Sequence, residues 1–138
     1  MQNKRRLILA AVLAVTVLAA GCAPMLLMSL GGAAAIGSYK WIEGTMEKDY
    51  PRPMQETWNA ALAAAKQMNL KITAQQYGAT ESKLEAATQD NTTVKIQLVA
   101  RPNQITTVKV RFGMMGNADY SAYFHRLIMR QLGIPDMG

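Results

Sequence analysis

The amino-acid sequence predicts an α+β domain: an antiparallel sheet of four to five strands with two helices packed on one face. Three observations carry that expectation. Apolar and polar residues alternate with period two around Val94, Ile96 and Leu98, and again around Val108, Val110 and Phe112. Apolar residues recur at spacings of three and four through residues 54–68. A second stripe of helical spacing runs through residues 118–132, with Asn117 before it and Gly133 after it. The expected order is strand, helix, three or four strands, helix.

The first strand is expected over residues 39–50, with Tyr39, Trp41 and Thr45 on one face and Ile42 and Met46 on the other. Pro51 and Pro53 end it, because proline cannot donate to a strand ladder. Tyr39 and Trp41 are expected to pack in the sheet. Aromatics at this place also suit a membrane interface. The first helix places Met54, Trp58, Ala61, Leu62, Ala65 and Met68 on one face, with Trp58 as its anchor in the core. Leu70, Ile72 and Ala74 then alternate with Lys71, Thr73 and Gln75, and Gly78 breaks the pattern. A weaker strand surrounds Leu84 and Ala86. Asp90-Asn91 and Pro102-Asn103 mark turns. Strands with one polar face are antiparallel and covered on one side only. In the last helix the expected buried stripe is Tyr120, Tyr123, Phe124, Leu127, Ile128 and Gln131.

The first 38 residues are of a different kind. Lys4, Arg5 and Arg6 precede an uncharged run at 7–20, and small residues then lead to Cys22, the one cysteine of the chain. The run has the length of a signal peptide's apolar core and is shorter than a spanning helix needs. The order basic, apolar, small, cysteine is that of a bacterial lipoprotein signal. Residues 1–21 would be the signal peptide, and Cys22 the lipidated first residue of the mature chain. Ala19 stands where the commonest such pattern has Leu, with Leu18 one step earlier. Cysteine is required because its thiolate forms a thioether to a diacylglyceryl group. Acyl chains contribute ~0.8 kcal/mol per buried methylene, so two or three anchor lastingly. Ala23, rather than Asp, follows the cysteine, which favours export to the outer membrane. Residues 22–38 form the lipidated cysteine and an apolar, Gly/Ala-rich linker, and residues 39–138 the periplasmic domain. The uncharged run at 23–38 fits a second membrane-contacting segment and an apolar linker equally well.

Composition narrows the function classes. The 138 residues carry 15 Lys+Arg against 9 Asp+Glu, a net charge of +6. Removing Lys4, Arg5 and Arg6 with the signal leaves 12 against 9, or +3. The remaining cations are interleaved with acids, so nucleic acid is not expected as a partner. A single cysteine forms no intramolecular disulfide, so the core alone must hold the fold.

No constellation points to catalysis, a metal or a cofactor. His125 is the one histidine and is expected at the surface, solvated. Ser121 lies four residues before it, but no acid follows at the next turn. Met25 and Met28 lack companions for a soft-metal site. Glu43 with Glu47, and Glu81 with Glu85, are expected apart and solvated. Gly113-Met114-Met115-Gly116 precedes a helix but lacks the Lys-Ser/Thr of a phosphate loop, and is expected to be a strand-to-helix turn. Met114 and Met115, exposed at its tip, are the candidate partner surface.

Tyr39 with Gly44 and Tyr50, then Trp58-Asn59-Ala60, then residues 107–113 (Thr-Val-Lys-Val-Arg-Phe-Gly) with Gly116 and Ser121 resemble a family of small Gram-negative lipoproteins. That family is catalogued as a domain of unknown function. The resemblance implies the Cys22 anchor and the fold, and no catalytic residues. The expected function is that of a non-enzymatic envelope lipoprotein, anchored at the periplasmic face of the outer membrane. Its domain would bind another envelope component or support assembly. The alternative is a carrier for a small apolar or lipid ligand held between helices and sheet.

Overall fold

Alternation along the later strands builds the sheet as expected. The computed structural model describes residues 38–136. Cys22, the expected lipidation site, the run at 23–37 and the pair Met25 and Met28 lie outside the described residues. Eight elements follow in order: β1 (Lys40–Ile42), β2 (Thr45–Tyr50), α1 (Met54–Gln67), β3 (Lys71–Gln76), β4 (Glu81–Ala87), β5 (Thr93–Arg101), β6 (Ile105–Phe112) and α2 (Ala118–Leu132). The six strands form one sheet in the order β1-β2-β6-β5-β4-β3, and each neighbouring pair is antiparallel. The sheet therefore has one strand more than the upper expectation.

The additional strand comes from the first segment. Residues 39–50 do not run straight but fold back at Glu43-Gly44, both with positive φ (47° and 83°). Ile42 then pairs with Thr45 across a two-residue turn. Such turns match the twist of a hairpin, and glycine accepts the left-handed backbone without steric cost. Tyr39 packs as expected, half-buried with its ring 5.5 Å from that of His125. Trp41 does not, and is 47% exposed.

One face of the sheet is covered and one is open. Met46, Val110, Ile96 and Leu84 stand in register across β2, β6, β5 and β4, and all are buried. On the other face Glu47, Lys109, Gln97 and Lys83 form the matching polar row, with a Lys109–Glu47 ion pair at 3.1 Å. Glu81 on that face pairs with Lys83 at 3.3 Å and accepts from Gln97 at 2.8 Å. β3 departs from expectation. Its residues are all exposed, Ile72 included, and its register shifts between Ile72 and Ala74. It is an uncovered edge, and a bulge with lysine at its start discourages pairing with another chain. Leu70, just before it, is buried.

Both helices lie on the covered face. α1 touches β5, β6 and β3, and α2 touches β2 and β6. Trp58 is buried, as are Ala60, Ala61, Ala64 and Ala65, whose small side chains let α1 pack closely on α2 and the sheet. Thr57 Oγ1 donates to Pro53 O at 3.0 Å in the first turn of α1. At its end Asn69 takes φ 54° while Leu70 N–H donates to Ala65 O at 3.0 Å. In α2 the Asn117 side chain accepts from Tyr120 N–H at 3.0 Å. Gly133 closes the helix at φ 67°, and Ile134 N–H donates to Met129 O at 2.9 Å. Among the described residues, no helix is long and apolar enough to cross a membrane.

The buried stripe of α2 differs from the expected one. Ser121, Phe124, His125, Leu127, Ile128 and Met129 are buried, whereas Tyr120, Tyr123 and Gln131 are exposed. Of the polar residues of this face, His125 finds its partners inside the fold. His125 is fully buried, correcting the expected surface histidine. The Tyr50 hydroxyl stands 2.7 Å from His125 Nδ1, and His125 Nε2 lies 3.2 Å from the carbonyl oxygen of Met46. A carbonyl only accepts, so Nε2 carries the proton and Nδ1 accepts from Tyr50. Both partners lie on β2, so one neutral imidazole joins the last helix to the second strand. Burial lowers the His125 pKa from 6.5 to about 4, with Lys48 adding to the shift and the Met46 carbonyl opposing it.

This shift sets an acid limit on stability. The unfolded chain takes up a proton at His125 near pH 6.5, and the folded chain only near pH 4. Stability is thus full above pH 6.5 and falls as pH drops toward 4, by roughly 3 kcal/mol in total. Denaturant melts from pH 7 to pH 4.5 should show this fall in the wild type. His125→Gln should be less stable at pH 7 and lack this component. Tyr50→Phe, which leaves Nδ1 without its donor, should cost about 1–3 kcal/mol at pH 7.

Candidate functional site

Among the described residues, the β6–α2 connection presents the one pair of large apolar side chains left almost wholly in solvent. Met114 and Met115 are each 88% exposed, as the candidate partner surface requires. The loop owes its shape to glycines at both ends. Gly113 takes φ 75° and Gly116 takes φ 80°, a region that L side chains rarely adopt.

Three contacts hold the loop. Gly113 N–H donates to Thr93 O at 2.8 Å, tying the exit of β6 to β5. Arg111, from the open face, donates through Nε to Gly113 O at 3.3 Å, and its guanidinium also donates to Met114 O. The third contact is a close approach of two backbones. A methyl group at Gly116 would collide with the backbone of Gly44, and one at Gly44 would stand 2.6 Å from the carbonyl oxygen of Met115. The β1–β2 turn therefore seats directly on the methionine loop.

Beside the loop lies an open groove of about 610 Å³. Phe112 is buried at its lining, Met68 and Leu70 enter from the end of α1, and Tyr120 stands opposite. Asp90 and Asn117 add polar groups to the lining. The Phe112 ring lies 5.7 Å from Tyr120 and 6.4 Å from Phe124, which ties the groove to the core. A second open groove of about 520 Å³ involves Met114, Arg111, Lys95 and Thr93. Met114 is thus shared by two hollows, one lined by both apolar and polar side chains and one with cationic side chains. Unbranched, polarizable methionines between such hollows can adapt to an apolar partner.

The residues considered for catalysis do not assemble. Both ring nitrogens of His125 are engaged by Tyr50 and Met46. Ser121 Oγ is buried without a hydrogen-bond partner, so it is not held by His125. Glu43 occupies a turn while Glu47 pairs with Lys109. Among the described residues, no group of three or more His, Cys, Asp or Glu is placed to hold a metal. What sequence reasoning missed is the contact of Gly44 with Gly116. The sequence marks both as glycines, but no local pattern joins positions so far apart.

A family model described as protein of unknown function (DUF3568) matches residues 6–131. The chain belongs to this family. The matched span runs from the basic N-terminal residues to the last turn of α2, and so includes both glycines and both methionines of the loop. No curated protein matches the chain significantly.

The packing predicts a division between loop seat and loop tip. Gly116→Ala should lose about 1–3 kcal/mol, from left-handed strain and displacement of the Gly44 turn. Met114→Ser with Met115→Ser should stay within ~0.5 kcal/mol of wild type, as exposed substitutions do. Thermal melts of the two proteins would check this.

Proposed function

We propose that the protein is a lipid-anchored component of the bacterial envelope whose domain binds another envelope protein or supports its assembly. The observation that carries the binding role is the exposure of Met114 and Met115 on a loop held from three sides beside an open groove. Exposed apolar side chains cost solubility, and a rigid seat for them suits an interface. The anchor rests on the sequence at residues 18–22, where Cys22 would carry the acyl chains. Ala23 next to it favours the outer membrane, with the domain in the periplasm.

The carrier reading has less support. Trp58, Phe124 and Leu127 are buried between helices and sheet, where a carried ligand would have to lie, and Leu62 packs against them half-buried. Tyr123, expected in the buried stripe of α2, is turned outward.

Two experiments test the proposal. Cells fed a labelled fatty acid should label the protein, and Cys22→Ser should abolish the label; persistent labelling of that variant overturns the anchor. A photo-reactive residue at Met114 or Met115, introduced in intact cells, should capture one envelope protein reproducibly. The same probe at Lys71, on the exposed β3 edge, should not. If the loop captures nothing and the purified protein instead retains extracted lipid, the binding role falls in favour of the carrier.

A further inference from the structure

The free edge of β1 carries two apolar side chains that the fold leaves uncovered. Trp41 is 47% exposed and Ile42 50% exposed. Trp41 stands opposite Met46, and therefore on the covered side of the sheet, while Ile42 stands opposite Thr45 on the open side. The two flank the strand's outer backbone, one on each side. Lys40 precedes them, exposed, and faces Glu47 across the hairpin.

We propose that this edge lies in the interfacial layer of the bilayer that holds the acylated Cys22. The proposal rests on the anchor reading given above. Three features of the chain point to a bilayer rather than to another chain. First, the edge is short, with three residues, and so offers a partner strand few backbone groups. Second, the chain enters the domain here. Sixteen residues separate Cys22 from Tyr39, so the edge lies within roughly 55 Å of the lipid even at full extension. None of the sixteen is charged, so the connection gains little from standing out in water. Third, the side chains suit that layer. Tryptophan prefers the headgroup level, where its ring is apolar and its N–H stays hydrated. Lys40 matches anionic headgroups. The unpaired backbone of the edge confines it to the interfacial layer, because hydrocarbon would leave its N–H and C=O groups unsatisfied.

The two tryptophans provide the test, since Trp58 is buried in the core and Trp41 is not. Full-length lipidated protein is reconstituted into vesicles of phosphatidylethanolamine and phosphatidylglycerol, a fraction of them brominated in the acyl chains near the headgroup. Wild-type emission should fall by up to about half, the share of one tryptophan in two. Trp41→Phe protein should lose almost none. As a second measure, Ile42→Cys carries a spin label, the native thiol being acylated. The label should collide more often with oxygen than with a water-soluble nickel chelate. Mass spectrometry of the same samples reports acylation of Cys22. If Cys22 is acylated while wild type and Trp41→Phe quench alike, the edge placement is overturned and the anchor stands. Trp41 shielded from aqueous quencher yet untouched by brominated lipid would assign the edge to a second copy of this chain, again overturning it. A mature protein without acyl chains overturns both readings.

Discussion

The fold depends on β2 being held in the interior of the sheet. β2 pairs with β1 on one side and with β6 on the other, so a strand from the start of the domain lies between its neighbour in sequence and one about sixty residues later. Its helix-side residues meet the last helix. Met46 offers a carbonyl and Tyr50 a hydroxyl to the two nitrogens of His125, and Lys48 places its ammonium 4.5 Å from the centre of the Tyr39 ring. A buried imidazole is stable only when both nitrogens are answered, and here both answers come from one strand. That polar link specifies how α2 lies on the sheet more narrowly than apolar packing would, since leucine and isoleucine tolerate small rotations and a hydrogen-bonded ring does not.

The same arrangement positions the candidate interface. Because β2 sits next to β6, the turn that begins β2 reaches the loop that ends β6, and Gly44 meets Gly116. The exposed methionines are therefore carried by a loop tied to both β5 and the β1–β2 turn. Arg111 strengthens the arrangement from the far side, reaching around the end of β6 to the loop carbonyls. The loop contributes few buried contacts of its own, and its shape is imposed by backbone fit and by the arginine.

How far the sequence discloses all this varies with the kind of signal. β5 and β6 were legible because Val94, Ile96, Leu98, Val108, Val110 and Phe112 are strongly apolar against charged alternates. Asn117 and Gly133 marked the ends of α2 correctly, since caps are local chemistry. The hairpin at Glu43-Gly44 escaped because a glutamate at positive φ carries no turn signature, and the glycine alone is weak. The buried face of α2 departs from its periodicity for a different reason. Periodicity counts tyrosines as core and histidine as surface, whereas Tyr123 is half outside and His125 is sealed by partners 75 and 79 positions away. The methionine loop was legible as a pair of apolar residues between glycines, but its seat on Gly44 was not, because contact between distant backbones leaves no trace in spacing. The expectation of an anchor at Cys22 rests on the sequence alone.

The non-local pairing of β2 also governs the order in which the chain can acquire its structure. A polypeptide delivered N-terminus first, through a ribosome or a translocation pore, presents β1 and β2 long before β6 exists to receive them. The early hairpin is marginal alone, since a two-stranded ribbon in water lacks a covering layer. The β5–β6 and β4–β5 hairpins join near neighbours, but β2 must wait for the last strand and its imidazole partner for the last helix. The covered sheet thus cannot be completed until nearly the whole domain has emerged, and its completion spans a large loop, the kind of non-local contact that slows folding. Late closure of this kind keeps a chain threadable for as long as it is being moved.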